Sequence, residues 1–484
     1  MESHAHLRIA IIGAGMSGIL AAIKLRESGL DDLVILEKAA TLGGTWRDNT
    51  YPGLSCDVPS HLYTYTFEPN PEWSHLFSPG DEIQRYFAQV ARKHGIEELI
   101  RYNREVVSAR FDRGRWVIIA KDGSTETADI VIAATGVLHH PVLPDIEGRE
   151  SFAGAAFHSA RWDHAVPLEG RRIGIIGTGS TAAQIVPALV DKVARLSLFQ
   201  RTPQWILPLA NPAYTEEEKA AFRADPALMA GIYDTWSRRF QNTFARAVIG
   251  DEAQLAKIAD AVARNLEDNV HDPVLREQLR PAYKAACKRL IMSDTFYPAI
   301  QRPNARLVTA GIQRIEAAGV RTVDGELHAL DVLVYATGFN AHLFMRPMAV
   351  TGEAGCLDEA WSAGPNAFRS VALPGFPNFF MLCGPNSPVG NFSLIQVSEM
   401  QLAYVMQLID LIRSGRCRHV QPTARATAEF NSALRAAMKG TVWVSGCRSW
   451  YLDQHGNPAT WPWTFDRFAD DMRAPRLEEF ELTA

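Results

Sequence analysis

No two of the six cysteines (Cys56, Cys287, Cys356, Cys383, Cys417 and Cys447) are spaced as C-x-x-C. A redox-active dithiol of that kind and a cysteine-built metal site are thereby excluded. Long apolar runs are also lacking. The nearest, Ile9–Leu25, is broken by Gly13, Gly15 and Gly18, so no membrane span is expected. Charge of one sign is not in excess: 49 Lys and Arg against 54 Asp and Glu leave −5, which argues against nucleic acid or an anionic membrane as partner. The 14 histidines are scattered and form no metal-like tract. The start Met1-Glu-Ser-His-Ala-His6 has no basic stretch leading into an apolar one, so no secretory signal is expected. Together with the sparse cysteine this points to the cytoplasm. What remains is a chain of 484 residues, 47% hydrophobic and 21% charged, in the range of a soluble globular enzyme with two or three domains.

Two segments stand out. Leu7-Arg-Ile-Ala-Ile-Ile12 reads as a buried strand and runs straight into Gly13-Ala-Gly15-Met-Ser17-Gly18, followed by the apolar Ile19–Leu25. The first glycine allows a tight turn, the second lets a pyrophosphate approach, and the third lets helix pack on strand. A second strand, Leu33–Leu36, ends on Glu37, an acid placed to accept hydrogen bonds from ribose hydroxyls and to repel a 2′-phosphate. Just beyond it, Thr41-Leu-Gly43-Gly44-Thr45-Trp46 makes another glycine turn that a plain NAD domain does not need. A cofactor extended by a rigid ring system does, and the strand Ala128–Thr135 ending in Gly136 adds a second small-residue turn. Both features favour FAD.

The pattern recurs with one telling change. Arg172–Ile176 leads into Gly177-Thr178-Gly179-Ser180-Thr181-Ala182-Ala-Gln184, with alanine in the third glycine's place. The next strand, Ala194–Phe199, ends in Gln200-Arg201-Thr202, where the first site has Glu37. With the acid gone and a guanidinium present, the site suits a ribose 2′-phosphate, hence NADPH. Asp331–Thr337 with Gly338 repeats the closing strand. The expected architecture is α/β, with two Rossmann-like dinucleotide-binding domains, the second nested in the first. Residues 1–145 and 380–484 form the FAD-binding domain, 146–209 and 299–379 the NADPH-binding domain, and 210–298 a helical insertion. In that insertion Leu228, Met229, Ile232, Trp236 and Phe240 have the spacing of core positions.

Gly43-Gly44-Thr-Trp46-Arg-Asp-Asn-Thr-Tyr51-Pro52-Gly53-Leu-Ser-Cys-Asp57 resembles the longer fingerprint of the type I Baeyer–Villiger monooxygenases, within the flavin-containing monooxygenase superfamily. Phe152-Ala-Gly154-Ala-Ala-Phe-His158-Ser-Ala-Arg-Trp162-Asp163 is similar to their shorter one. Related flavin-containing monooxygenases usually lack the Trp-Asp ending. The likeness covers nearly the whole chain and is weakest in residues 210–275 and beyond 440. It implies an enzyme in which NADPH reduces FAD, the reduced flavin traps O₂ as a peroxyflavin, and a ketone becomes an ester or lactone. Leu279–Arg289 looks like the family stretch with the catalytic arginine, which is then Arg289; Asp57 is its partner, and Lys288 helps hold the 2′-phosphate.

The cofactor-binding residues expected on these grounds are Gly13, Gly15, Ser17, Gly18, Glu37, Gly44, Thr45, Trp46, Asp57, Tyr63, Val106, Gly177, Thr178, Gly179, Ser180, Thr181, Gln184, Arg201, Thr202 and Lys288. A fixed, always-charged donor is what a migrating negative charge requires, and Asp57 limits the cost of burying it. His158 and Trp162 read as hydrogen-bonding and packing elements in the segment entering the second domain, ahead of its first strand. Leu394–Ile409 reads as an apolar helix after the loop Gly384–Ser393, its start facing the flavin. Two departures exist: Ala182 stands where glycine is common, and Trp443–Trp463 lacks the pattern of the best-known cyclic-ketone enzymes. That aromatic stretch covers a pocket or packs between domains, and both readings stand. N- or S-oxygenation, or an NADPH oxidase activity, are the rival activities. The expected partners are a small-molecule ketone and O₂.

Overall fold

The computed structural model describes residues 6–484; the first five, most of the start considered above, lie outside the described residues. Two five-stranded parallel sheets organise the chain. The first has the order Phe379–Met381, Ile130–Ala133, Ile9–Ile12, Leu33–Leu36, Ile100–Arg101. Its three central strands are short, continuous apolar runs with no exposed face, as parallel strands covered on both sides must be. The helix Met16–Glu27 follows the first turn and is buried along most of its length beneath the helix Leu394–Arg413. The second sheet repeats the arrangement: Ala155–His158, Val332–Tyr335, Arg172–Ile176, Arg195–Phe199, Ala305–Val308. In each sheet the closing strand lies beside the first strand, and an antiparallel meander precedes it in the chain: Val106–Ala128 in one, Ile312–Ala329 in the other.

The chain passes out of the first sheet, builds the second, and returns to complete the first with Phe379–Met381. The return begins earlier than residue 380. Strand Ala349–Thr351 pairs with Val106–Asp112, and Phe344, Met348, Val350, Trp361 and Phe376 pack in the same cluster as Ala10 and Val34. Burial of those side chains thus places residues 344–376 with the first sheet. The short motif also sits differently from its reading as a linker. Ala155–His158 is the edge strand of the second sheet, paired with Val332–Tyr335.

Helices Glu216–Ala224, Pro226–Asn242, Phe244–Val248, Glu252–Asn269 and Pro273–Gln278 fill the segment between the sheet strands. Met229 is buried, and Ile232, Trp236 and Phe240 are half-buried. Leu228 is 45% exposed, which corrects its assignment to the core: it lies in the first turn of its helix, one residue off the packed face. No helix of the described residues is long and apolar enough to cross a membrane, and none of their His, Cys, Asp and Glu side chains cluster as a metal site.

Candidate active site

The first glycine turn and the turn at Gly43-Gly44 face one another. A Cβ on Gly44 would lie 3.2 Å from the α-carbon of Gly15, so the gap between the turns is lined by backbone alone. Glu37 is buried at the strand end, and its carboxylate is already fixed. It accepts from the N–H groups of Ala14 (2.8 Å) and Ala39 (2.9 Å) and from Arg47 (2.9 Å). Four lone-pair sites leave it capacity for a ribose hydroxyl. Arg47 carries no site assignment from the sequence, though it lies inside the long fingerprint. Thr45 and Trp46 open the short helix Thr45–Asp48, and the Trp46 indole donates to the Tyr63 hydroxyl at 3.1 Å. Ser17 Oγ lies 2.8 Å from Ser398 Oγ and so joins the first turn's helix to Leu394–Arg413. Val106 begins the meander just after Arg104, whose N–H donates to the Glu37 carbonyl.

The second turn is more open. A Cβ on Gly179 would meet nothing within 4 Å. The helix Ser180–Leu189 starts at Ser180 and Thr181, and the Thr178 hydroxyl donates to the Thr202 carbonyl at 2.7 Å. Arg201 is exposed, while Lys288 is half-buried with its ammonium 4.8 Å from the Tyr283 ring centre. Burial pushes the Lys288 pKa down, and the nearby Arg201 charge adds to the shift. The two cations are neighbours, and no carboxylate of the described residues pairs with either, which is the electrostatic signature of an anion site. Gln184 turns the other way. Its amide accepts from the Tyr51 hydroxyl (2.9 Å) and donates to the Ser55 carbonyl (2.9 Å), tying the second turn's helix to the long fingerprint.

That bridge brings Asp57 to Arg289. The carboxylate and the guanidinium pair at 2.5 Å, and Arg289 Nη1 donates to the Gly390 carbonyl at 3.2 Å. Three distant segments meet here: the long fingerprint, the turn after the helical insertion, and the C-terminal return. Burial opposes the arginine's charge, but Asp57 and the neighbouring Tyr451 more than offset it, so its pKa is raised and the charge is permanent. Gly390 has φ +89°. A Cβ there would lie 2.6 Å from Tyr451 Oη and 2.8 Å from Arg289 Nη1, so only glycine fits between them.

His158 is held by two hydrogen bonds and an edge-on contact with Phe339. Its Nδ1 accepts from the Ala160 N–H, which leaves Nε2 to donate to the Gly338 carbonyl at 3.1 Å, and burial lowers its pKa. A neutral ring with both nitrogens engaged packs and orients; Trp162 meets Phe157 edge-on at 5.0 Å. The aromatic C-terminal stretch splits between its two readings. Trp461 is wholly buried in the first core, whereas Trp450 and Tyr451 line a cavity with Val137, His342, Ser387 and Val389.

Absence of C-x-x-C left a different pairing unread. Cys287 and Cys447 form a disulfide, with α-carbons 6.2 Å apart across 160 residues of sequence. Only tertiary proximity reveals such a bond, and no spacing rule finds it. It joins the Lys288-Arg289 turn to the segment that carries Trp450 and Tyr451.

Comparison with known proteins gives a consistent set. A family profile described as pyridine nucleotide-disulphide oxidoreductase matches residues 10–215. An uncharacterized monooxygenase of Mycobacterium tuberculosis is 49% identical over 98% of this chain and 96% of its own. A Baeyer–Villiger monooxygenase of Streptomyces coelicolor is 41% identical, over 99% of this chain and 93% of its own. Among solved structures, OTEMO in complex with FAD and NADP superposes with a TM-score of 0.89 at 27% identity, covering 99% of this chain and 100% of that one.

Proposed function

Because the chain belongs to the Baeyer–Villiger monooxygenase family, we propose that it is an FAD-containing, NADPH- and O₂-dependent monooxygenase that converts a small-molecule ketone to an ester or lactone, and that it works in the cytoplasm. The observation that carries this reading is the Asp57–Arg289 pair, set where both nucleotide-binding halves and the C-terminal return meet.

The backbone-lined gap between Gly15 and Gly44, with Glu37 fixed at its end, fits FAD. Glu37 reaches a ribose, and the Trp46–Tyr63 pair and Ser17 wall the site. The open turn at Gly179 and the Arg201–Lys288 cations fit NADPH, the helix start at Ser180 receiving its pyrophosphate. Bound there, the cofactors supply reducing equivalents and activated oxygen. The chain's own part is electrostatic. As the ketone carbonyl is attacked, its oxygen gains charge, and Arg289 is a permanent donor that needs no proton bookkeeping. Asp57 fixes the guanidinium and keeps it from being an unpaired buried charge. Gln184 and Tyr51 hold the two halves in register.

N- or S-oxygenation needs no charge of this kind at the reacting atom, so the pair favours the ketone reading. Arg289→Ala tests it. Ester formation should fall by at least ~10² to 10³, the effect of losing one well-placed donor, while FAD content and NADPH binding persist. Arg289→Lys should recover little, because the planar fork is lost. Ester formation near the wild-type rate in Arg289→Ala would leave the pair a structural bridge.

A further inference from the structure

Tyr451 has a hydroxyl that its surroundings do not explain. The residue is 1% exposed, and its ring packs 4.3 Å from Trp450 and 5.5 Å from Trp443. That packing would serve a phenylalanine equally well. The hydroxyl has no hydrogen-bond partner among the described residues, although it lies beside Arg289 Nη1 at the α-carbon of Gly390. Its oxygen faces the guanidinium and supports that charge, while its own O–H finds no acceptor among the described residues. An orphaned buried hydroxyl is costly, and such exceptions in a folded protein call for a ligand or a function. Tyr451 also lines the cavity shared with Val389, Ser387 and His342.

Its position is enforced. The segment Cys447–Tyr451 is clamped to Cys287–Arg289 by the disulfide and by the Ser449 hydroxyl, which donates to the Cys287 carbonyl at 3.5 Å. Cys447 lies against Cys287, and Tyr451, four residues beyond Cys447, lies against Arg289, two beyond Cys287. A hydroxyl held in this way gives up little conformational freedom when a ligand arrives.

We propose that the Tyr451 hydroxyl is a second hydrogen-bond donor of the site, paired with Arg289 and aimed at the carbonyl oxygen of the ketone. The assignment rests on the ketone reading above and deepens it. Arg289 supplies charge and Tyr451 supplies a directed neutral donor, so two donors converge on one oxygen as that oxygen becomes negative. No proton leaves the phenol; the O–H stays intact and only its hydrogen bond strengthens.

Tyr451→Phe removes the hydroxyl and keeps the ring. Binding of cyclohexanone and of its isostere methylenecyclohexane, which lacks the acceptor, is read by tryptophan fluorescence on the oxidised FAD-loaded protein. The ketone's dissociation constant should rise about 5-fold, the effect of one neutral hydrogen bond, and that of the hydrocarbon should not move. Tyr451→His, which restores a donor, should recover part of the preference. With NADPH and O₂, the Phe variant should form less ester and more hydrogen peroxide per NADPH consumed. Equal losses for both ligands, no loss for either, or a wild type that holds both alike would overturn the assignment. A wild type that prefers the ketone through Tyr451 yet forms no ester would fault the monooxygenase reading and leave the donor in place. Ester formation with ketone binding unmoved by Tyr451→Phe would do the reverse.

Discussion

The two glycine turns share one strand order and one connection pattern, yet they differ at every point where chemistry is decided. In the first, a Cβ on Gly18 would fall 1.9 Å from the Gly13 carbonyl oxygen, so helix and turn are pressed together and only glycine fits. In the second, Ala182 holds the equivalent place and is fully buried without displacing the helix. The first strand pair ends on a carboxylate clamped by two backbone N–H groups and Arg47. The second ends on an exposed arginine with a lysine nearby and no counter-charge among the described residues. A closed site whose charge is paired suits a cofactor that stays, and an open one with unbalanced charge suits a cofactor that comes and goes. The same backbone thus presents a close-packed turn with a paired carboxylate in one half and an open, cationic turn in the other.

The largest way to break that contrast is at the second site. Replacing both Arg201 and Lys288 with alanine removes two charge-assisted contacts, each of roughly 1.5–3 kcal/mol. The Michaelis constant for NADPH should rise by on the order of 10² or more, while that for NADH stays nearly level. Steady-state kinetics with both nucleotides measures this directly, and equal changes would remove the two cations from the phosphate site.

A smaller effect is expected at the seam. Cys447→Ser or a strong reductant opens the bond that closes 160 residues, and a native cross-link typically contributes about 2–4 kcal/mol. Melting temperature should fall under either treatment. FAD content should hold, because the contacts of Glu37 and of the Gly15 and Gly44 turns lie away from the Cys287 turn, and thermal scans with and without reductant read both quantities. An unchanged melting temperature would mean that the cross-link carries no stability in solution.

Much of this was legible in the sequence because it is written locally. Strand, turn, helix and the residue closing the second strand are contiguous, so both nucleotide halves, Glu37 and Arg201 follow from period and spacing. The pairing of Asp57 with Arg289 came only through family resemblance, since 232 residues separate them. Three features had no local signal. Gln184 has the position of a nucleotide contact, and its amide also bonds to Tyr51 and Ser55. The Cys287–Cys447 bond and the Tyr451–Gly390–Arg289 contact arise where the C-terminal return folds over the helical insertion. Residues 344–376 have no strand-turn-helix signature, and only the core they fill relates them to the first sheet.

The account as a whole turns on whether oxygen is inserted beside a carbonyl. Incubating the FAD-loaded protein with NADPH and a panel of cyclic, linear and aryl ketones under ¹⁸O₂, with products read by mass spectrometry, tests that directly. The account predicts an ester or lactone carrying one ¹⁸O atom, with one NADPH consumed per product. Consumption of NADPH with hydrogen peroxide as the sole product across the panel, or labelled N- or S-oxides in place of esters when amines and sulfides are supplied, would contradict it.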